Sequence, residues 1–172
     1  PHQIYADGEQ NPVPAMVGTN RDEGTMFATK RAFGGTLPNY RTLMAERYGA
    51  GGVKVADYYS GEFEKVKDEL YRVAVQQITD TWFVQPSRSF ARAMDRQGTP
   101  IYMYHFTKSV WGWMGAAHAA EIEYVFGNLK DPNPSDVALT KAFMDYWVEF
   151  AKTGNPNLDN RVDWPLYTVS ED

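Results

Sequence analysis

Cysteine is absent from the 172 residues, so the chain has no disulfide framework, no thiolate metal ligand and no cysteine nucleophile. No run of apolar residues reaches the roughly 18 that a membrane-spanning helix needs. Positive charge is also scarce, because 17 Lys and Arg stand against 22 Asp and Glu, a net charge of −5. With no basic cluster to neutralise a phosphate backbone, the sequence predicts no nucleic-acid partner and no membrane span.

Apolar residues, by contrast, are plentiful. Hydrophobic residues make up 43% of the chain and aromatic residues 15%, which is enough for a buried core and argues against intrinsic disorder. The length corresponds to about one domain. The chain begins Pro1-His2 without an initiator Met, so we expect it to be a segment of a longer polypeptide.

Two short apolar segments have the character of buried strands. Val13–Val17 lies between Pro12 and Gly18, and we expect Gly18 to end this strand. Ile101–Phe106 carries apolar or aromatic side chains on both faces, a pattern typical of a parallel sheet covered on both sides. Since two strands do not make a stable sheet, the pattern predicts part of a larger one.

Helical patterns separate and follow these strands, which indicates the α/β class. Apolar spacing and end residues predict four helices: Pro38–Tyr48, a stripe from Glu62 to Ile78, Pro86–Arg96, and a last helix with Ser135 as N-cap and Gly154 as C-cap. The positions of the stripe recur at steps of three and four: Phe63, Val66, Leu70, Val73 and Gln77/Ile78. Lys65 and Glu69 lie one turn apart on its surface and can pair. A loop is predicted at Asn155–Trp164.

Metal and nucleotide signatures are missing from the sequence. The histidines, His2, His105 and His118, include no His-x-x-x-His pair. The acidic loops at 131–136 and 155–159 lack the Gly and the final Glu of a calcium-binding loop. Neither Gly-x-Gly-x-x-Gly nor a Gly-Lys-Ser/Thr phosphate loop occurs. The sequence therefore predicts no metal site and no cofactor.

Two loops that follow the predicted strands carry candidate catalytic groups. His118 lies in a loop of small and aromatic residues after the second strand, and the acidic turn Asn20–Gly24 follows the first. A structural role is the alternative for each, and it is the preferred interpretation of His105, which lies within a strand. An acid and a histidine in such loops can form the acid–base half of a catalytic triad.

Three segments carry a family resemblance. Val17–Phe27 resembles the segment that bears the triad acid in type-B carboxylesterases, the cholinesterase-like branch of the α/β-hydrolases, and Ala117–Gly127 is similar to their histidine-bearing segment. Phe150–Asn157 followed by Trp164–Tyr167 resembles their carboxy-terminal signature. The resemblance implies an α/β fold: the C-terminal part of a single α/β-hydrolase domain, with few strands, several packing helices, an incomplete central sheet, and an N-terminal half that lies outside residues 1–172.

The resemblance also implies roles for individual residues. Glu23 corresponds to the triad acid, His118 to the general base, and Glu121 to a glutamate that supports the site in relatives. Met26 and Phe27 correspond to positions that line the substrate gorge. In the choline-selective members of the family an aromatic residue often occupies the position of Met26. A thioether has no ring quadrupole to attract a cation, so the resemblance implies that a quaternary-ammonium pocket is not expected here.

The loop before His118 supplies further candidates. Trp111, Trp113 and Met114 are candidate walls of a pocket for an apolar acyl or alcohol group, and ordinary core packing is the alternative for each.

The nucleophilic serine of the family has no counterpart in this sequence. Relatives carry it in a Gly-x-Ser-x-Gly elbow that precedes the acid, and no serine in this chain has Gly at both positions two residues away. We therefore expect a carboxylic ester hydrolase whose serine and oxyanion hole belong to an N-terminal part, which is its partner together with a small-molecule ester. Residues 1–172 alone are expected to be inactive. The alternative is a fragment of an inactive cholinesterase-like adhesion or scaffold protein, against which Glu23 and His118 argue.

Overall fold

Two parallel strands lie at the centre of the structure, a computed structural model that describes residues 2–62 and 68–172. Strand β1 is Ala15–Asn20 and strand β2 is Ile101–Phe106, and they pair in register from Ala15 opposite Ile101 to Asn20 opposite Phe106. The predicted parallel pairing and the predicted bounds of β2 are confirmed.

Gly18 does not end β1, so that prediction was wrong. The strand begins two residues later than expected and continues through Gly18 to Asn20. Gly18 lies opposite Tyr104, and a Cβ added at Gly18 would come within 2.3 Å of the Tyr104 ring. The position therefore needs glycine because a neighbouring ring lies against the strand, not because the chain turns.

The C-terminal segment covers the outer edge of β2. The Tyr167 N–H donates to the Ile101 carbonyl at 2.9 Å, and the Trp164 indole N–H donates to the Met103 carbonyl at 2.9 Å. No strand in the described ranges pairs with the other edge of β1. The sheet is thus covered on one edge and open on the other.

Helices surround the two strands. In chain order these are α1 (His2–Asp7), α2 (Leu37–Glu62), α3 (Glu69–Ile78), α4 (Gln85–Arg96), α5 (Ile122–Val125) and α6 (Pro134–Thr153). A π-helical segment, Thr79–Val84, joins α3 to α4, and short 3₁₀ turns occur at Glu23–Met26, Lys30–Phe33, Gly112–Met114 and Val169–Glu171.

The predicted helices are present, but several of their ends differ. The helical run α2 is divided at Gly49, whose backbone (φ 59°, ψ −143°) is not helical, so the first of its two helices ends after Tyr48 as predicted and a second one continues to Glu62. In the stripe after Glu62, the predicted positions Phe63, Lys65 and Val66 lie outside the described residues, and the later ones belong to α3. Helix α4 begins one residue before the predicted start.

The last helix has the predicted C-cap and a different N-cap. Gly154 adopts the left-handed conformation that ends a helix, with φ 76°. At the other end Asn133, rather than Ser135, is the cap: its side chain accepts from the N–H groups of Ser135 and Asp136, and the Asp136 carboxylate accepts from the Asn133 N–H. The predicted loop Asn155–Trp164 is confirmed.

Three apolar clusters form the core. The first, which includes Tyr40 and Val73, joins α2 to α3. The second, which includes Met94 and Ile101, packs α4 against β1 and β2. The third, which includes Phe106 and Tyr124, packs the segment after β2 against α5 and α6. The third cluster fixes the region just before and after His118.

Candidate active site

The loops after β1 and β2 are joined to each other by backbone pairing. The Arg21 N–H donates to the Phe106 carbonyl at 2.9 Å, and the Asp22 N–H donates to the Ala116 carbonyl at 3.0 Å. Asp22 and Ala117 form an isolated parallel bridge. The chain after β2 therefore loops out and returns to the end of β1, which brings the His118 loop to the acidic turn.

Gly115 makes this return possible. It has φ +66°, and a Cβ there would lie 2.2 Å from Asp22 Oδ2. The same Asp22 oxygen accepts from the Ala116 N–H at 2.8 Å. A glycine is needed both for the backbone conformation and for the close approach of the carboxylate.

Glu23 and His118 are in direct contact. Glu23 Oε2 lies 2.7 Å from His118 Nδ1, while the Asn20 N–H donates to Glu23 Oε1 at 2.8 Å. The Glu23 side chain is 6% exposed and the imidazole 46% exposed. A carboxylate at Nδ1 favours the tautomer protonated at Nδ1, which leaves Nε2 free to accept a proton.

The turn that carries Glu23 is packed tightly onto α3 and the π-helical segment. Gly24 approaches so closely that an added Cβ would lie 2.1 Å from the Val75 carbonyl oxygen. The Gly24 N–H donates to Thr79 Oγ1 at 2.9 Å, and Thr79 is 2% exposed. These contacts fix the backbone of the Glu23 turn against α3 and the π-helical segment.

Glu121 is connected to Glu23 through Asn20. The Asn20 amide nitrogen donates to Glu121 Oε2 at 2.5 Å and to the Ala117 carbonyl at 2.8 Å. The Tyr104 hydroxyl donates to Glu121 Oε1 at 3.5 Å. Burial raises the pKa of Tyr104, and the charge of Glu121 adds to this shift, so the phenol remains a donor at neutral pH.

Backbone strain is present next to the histidine. Ala119 has φ 69°, in the left-handed region that residues with a Cβ rarely adopt. Such a conformation costs on the order of 1–2 kcal/mol and persists only where surrounding contacts impose it.

Aromatic rings lie against the imidazole. The Phe27 ring centroid is 5.5 Å from that of His118, and Phe83 is closer still at 5.0 Å. Phe27 also stacks on Phe83 at 5.8 Å and contacts Trp82 at 5.8 Å. Met26, the neighbour of Phe27, is 55% exposed. An apolar wall with exposed rings therefore adjoins the histidine.

The three candidate pocket residues from the loop before His118 differ from one another in burial. Trp111 packs against the buried cluster of Phe106 and Tyr124, which is the core-packing alternative. Trp113 is 75% exposed. Met114 ends the 3₁₀ turn Gly112–Met114 and is half-buried.

Sequence reasoning missed Phe83, which lies against the histidine, and Trp82, which contacts Phe27. Both lie in the π-helical segment Thr79–Val84, whose periodicity differs from that of an α-helix. The one available signal was an aromatic pair directly before the predicted Pro86 helix.

His105, interpreted as structural, has its Nδ1 3.4 Å from Thr19 Oγ1. In the described part of the chain, no group of three or more His, Cys, Asp or Glu side chains is arranged to hold a metal ion. Among the described helices, none combines the length and apolar character that crossing a bilayer requires.

Comparison with known proteins identifies the family. The family model described as the carboxylesterase family matches residues 1–172. The chain belongs to the carboxylesterase family. The solved structure of a PNB esterase superimposes with a TM-score of 0.72 at 27% identity, covering 96% of this chain and 34% of that one. The two strands of this carboxylesterase-family chain thus form part of an α/β-hydrolase sheet, which is incomplete here.

Curated relatives include carboxylesterase-family enzymes from distant organisms. The para-nitrobenzyl esterase of Bacillus subtilis is 32% identical over 97% of this chain, and the acetylcholinesterase of Leptinotarsa decemlineata is 30% identical over 99%. The chain spans only 34% and 31% of their respective lengths.

Proposed function

We propose that residues 1–172 are the C-terminal part of a carboxylic ester hydrolase, with Glu23 as triad acid and His118 as general base. The observation that carries this proposal is the 2.7 Å contact between the Glu23 carboxylate and His118 Nδ1. The nucleophilic serine and the oxyanion hole belong to an N-terminal part of the same domain, which completes the site. The substrate is a small-molecule ester, as for the named esterases among the relatives.

In this proposal His118 moves protons through Nε2. It takes the proton of the serine hydroxyl as the serine oxygen attacks the ester carbonyl, and the alcohol leaves with that proton. A water molecule then repeats the sequence on the acyl-enzyme, with Nε2 again as base. Glu23 remains ionised throughout and stabilises the imidazolium.

The surroundings of Glu23 suit a fixed carboxylate. Both of its oxygens are engaged, one by the Asn20 N–H and one by His118 Nδ1. Because the side chain is almost fully buried, water competes little for these bonds, and the charge acts on the imidazole at short range.

The exposed rings beside the histidine indicate the kind of ester. Phe27 and Phe83 offer an apolar surface next to the imidazole, and the exposed side chain of Trp82 extends it by its contact with Phe27; Met26 is the sequence neighbour of Phe27. An apolar acyl or alcohol group would bury this surface on binding. Trp113 and Met114 remain proposed parts of the wall, whereas the packing of Trp111 favours a role in the core.

The open edge of β1 supports the proposed partner. A two-stranded sheet is marginal by itself, and an uncovered edge favours pairing with another strand. The relatives are about three times as long as this chain, which covers 34% of the para-nitrobenzyl esterase. We propose that the N-terminal part supplies a strand to this edge.

Reconstitution from two separate parts tests the proposal. Residues 1–172 and the N-terminal part of the parent polypeptide are purified separately and together, and hydrolysis of a p-nitrophenyl ester is followed. Activity is expected only with both parts present, and His118→Gln should abolish it. His105→Gln is the matched control, because His105 contacts Thr19 and not Glu23, and it should leave activity unchanged.

Two results would contradict the proposal. Turnover by residues 1–172 alone, lost in His118→Gln, would mean that the nucleophile lies within this chain. No hydrolysis by the combined parts, despite an intact serine elbow, would favour a binding protein over an enzyme.

A further inference from the structure

Asn20 connects both loops of the candidate site. It is the last residue of β1 and is 1% exposed. Its backbone N–H donates to Glu23, while its side-chain nitrogen donates to the Ala117 carbonyl and to Glu121. One residue thus contacts the acid directly and the histidine loop on both sides of His118.

The chemistry of the position requires a side chain with two donors. The Asn20 amide nitrogen has two hydrogens, and its two partners, a carbonyl and a carboxylate, only accept. A serine would supply one donor, and an aspartate would place a third carboxylate beside Glu23 and Glu121. The neutral amide therefore fits these partners where the common substitutes do not.

The side-chain oxygen of Asn20 also indicates that this residue acts as a hydrogen-bond donor. Asn20 Oδ1 is buried and has no hydrogen-bond partner in the described part of the chain. An unsatisfied buried acceptor is unfavourable and uncommon in native proteins. The side chain of Asn20 therefore acts at this position through its two donated hydrogen bonds and not through its carbonyl oxygen.

These two hydrogen bonds also flank the strained residue. Ala117 and Glu121 lie two residues to either side of Ala119, whose φ is 69°. The Asn20 side chain therefore spans the turn that contains His118 and holds its two ends to β1. A left-handed alanine is expected to persist only where contacts of this kind impose it.

We propose that Asn20 is a positioning residue that sets the geometry between Glu23 and His118, an inference that rests on the proposed function. It orders the histidine turn against β1 through its amide and the carboxylate through its backbone N–H. It touches neither the substrate nor the reacting atoms, so its substitution lowers the turnover rate without changing substrate affinity.

Kinetics of the complete enzyme, residues 1–172 joined to the serine-bearing part, test the inference. Asn20→Asp should lower kcat about 100-fold with KM within about twofold, because displacement of catalytic groups by roughly 1 Å has effects of this size. Asn20→Ser, which keeps one donor, should lose about tenfold in kcat. Asn157→Asp is the matched control: Asn157 also joins two loop segments, through Trp164, and its substitution should leave kcat unchanged.

Histidine-selective ¹⁵N NMR of the same enzyme gives a readout independent of turnover. The Nδ1 proton of His118, identified by its loss in His118→Gln, should shift upfield in both Asn20 variants and stay in place in Asn157→Asp. Folded Asn20 variants with wild-type kcat and an unmoved resonance would overturn the inference. A shifted resonance in a complete polypeptide that hydrolyses no ester would support the placement of Asn20 and overturn the proposed function instead. If Asn20→Asp fails to fold, Asn20→Ser decides the question.

Discussion

Adding one methyl group at Gly24 should destabilise the chain and displace the catalytic acid. The added Cβ would lie 2.1 Å from the Val75 carbonyl oxygen, which belongs to the backbone of α3 and cannot rotate away. Either the turn or the helix has to move, and the Gly24 N–H would then lose its bond to Thr79 Oγ1. Glu23, the residue that directly precedes Gly24, would move with the turn.

The size of the effect follows from three contributions. Overpacking in a dense region costs about 1–3 kcal/mol. The lost or stretched hydrogen bond to Thr79 costs about 1 kcal/mol. Replacing glycine restricts the unfolded chain and returns about 0.4–1 kcal/mol. The free energy of unfolding should fall by about 1–4 kcal/mol, which for a chain of this size lowers the thermal midpoint by about 2–14 °C.

Thermal denaturation followed by circular dichroism measures this change. Gly61→Ala is the matched control, because Gly61 lies exposed in α2 with nothing within 4 Å of its added Cβ. That variant should be more stable by about 0.5–1 kcal/mol, since alanine favours a helix over glycine. If Gly24→Ala had the thermal midpoint of Gly61→Ala, the contact between the Glu23 turn and α3 would be refuted.

Further predictions concern strain, charge and the apolar wall. Ala119→Gly should raise the thermal midpoint by up to about 4 °C, because relief of left-handed strain exceeds the cost of a freer unfolded chain; a lower midpoint would contradict this. Hydrogen bonds from Arg161 and then Lys141 lower the pKa of Asp145 below its ordinary value of 3.8. The pKa of Asp145 is therefore lower in the folded state than in the unfolded state. The stabilisation by the ionised Asp145 carboxylate is complete above about pH 5 and is lost as the pH falls through the lowered pKa. The free energies of unfolding of wild type and Asp145→Asn, measured as a function of pH, should therefore converge in acid. Phe83→Ala should raise KM for p-nitrophenyl butyrate in the complete enzyme more than for the acetate, and equal changes would argue against its place in the wall.

Local patterns predicted those features that depend on neighbours in the sequence. Buried character on both faces predicted β2 and its parallel pairing, and a glycine after a long apolar stripe predicted the end of α6 at Gly154. The sequence also predicted that the acidic turn and the His118 loop each directly follow a strand. Each of these predictions rests on residues that are close together in the sequence.

Features that depend on distant residues escaped prediction. Gly18 was misinterpreted because the reason for it, the ring of Tyr104, is far away in the sequence. Phe83 escaped because a π-helix changes the direction of its side chains relative to an α-helix. Asn20 was noticed only as part of a polar turn, since its partners Ala117 and Glu121 become neighbours only on folding.

A double-mutant cycle on the complete enzyme tests the central claim most directly. Glu23→Gln and His118→Gln, separately and together, are compared by kcat for a p-nitrophenyl ester. Residues that act as one catalytic unit have strongly non-additive effects. We expect His118→Gln to lower kcat by at least about 10³-fold, Glu23→Gln by a comparable amount, and the double variant no further than His118→Gln alone. Losses that multiply in the double variant, or a single variant with wild-type kcat, would contradict the assignment of Glu23 and His118 as one acid–base pair.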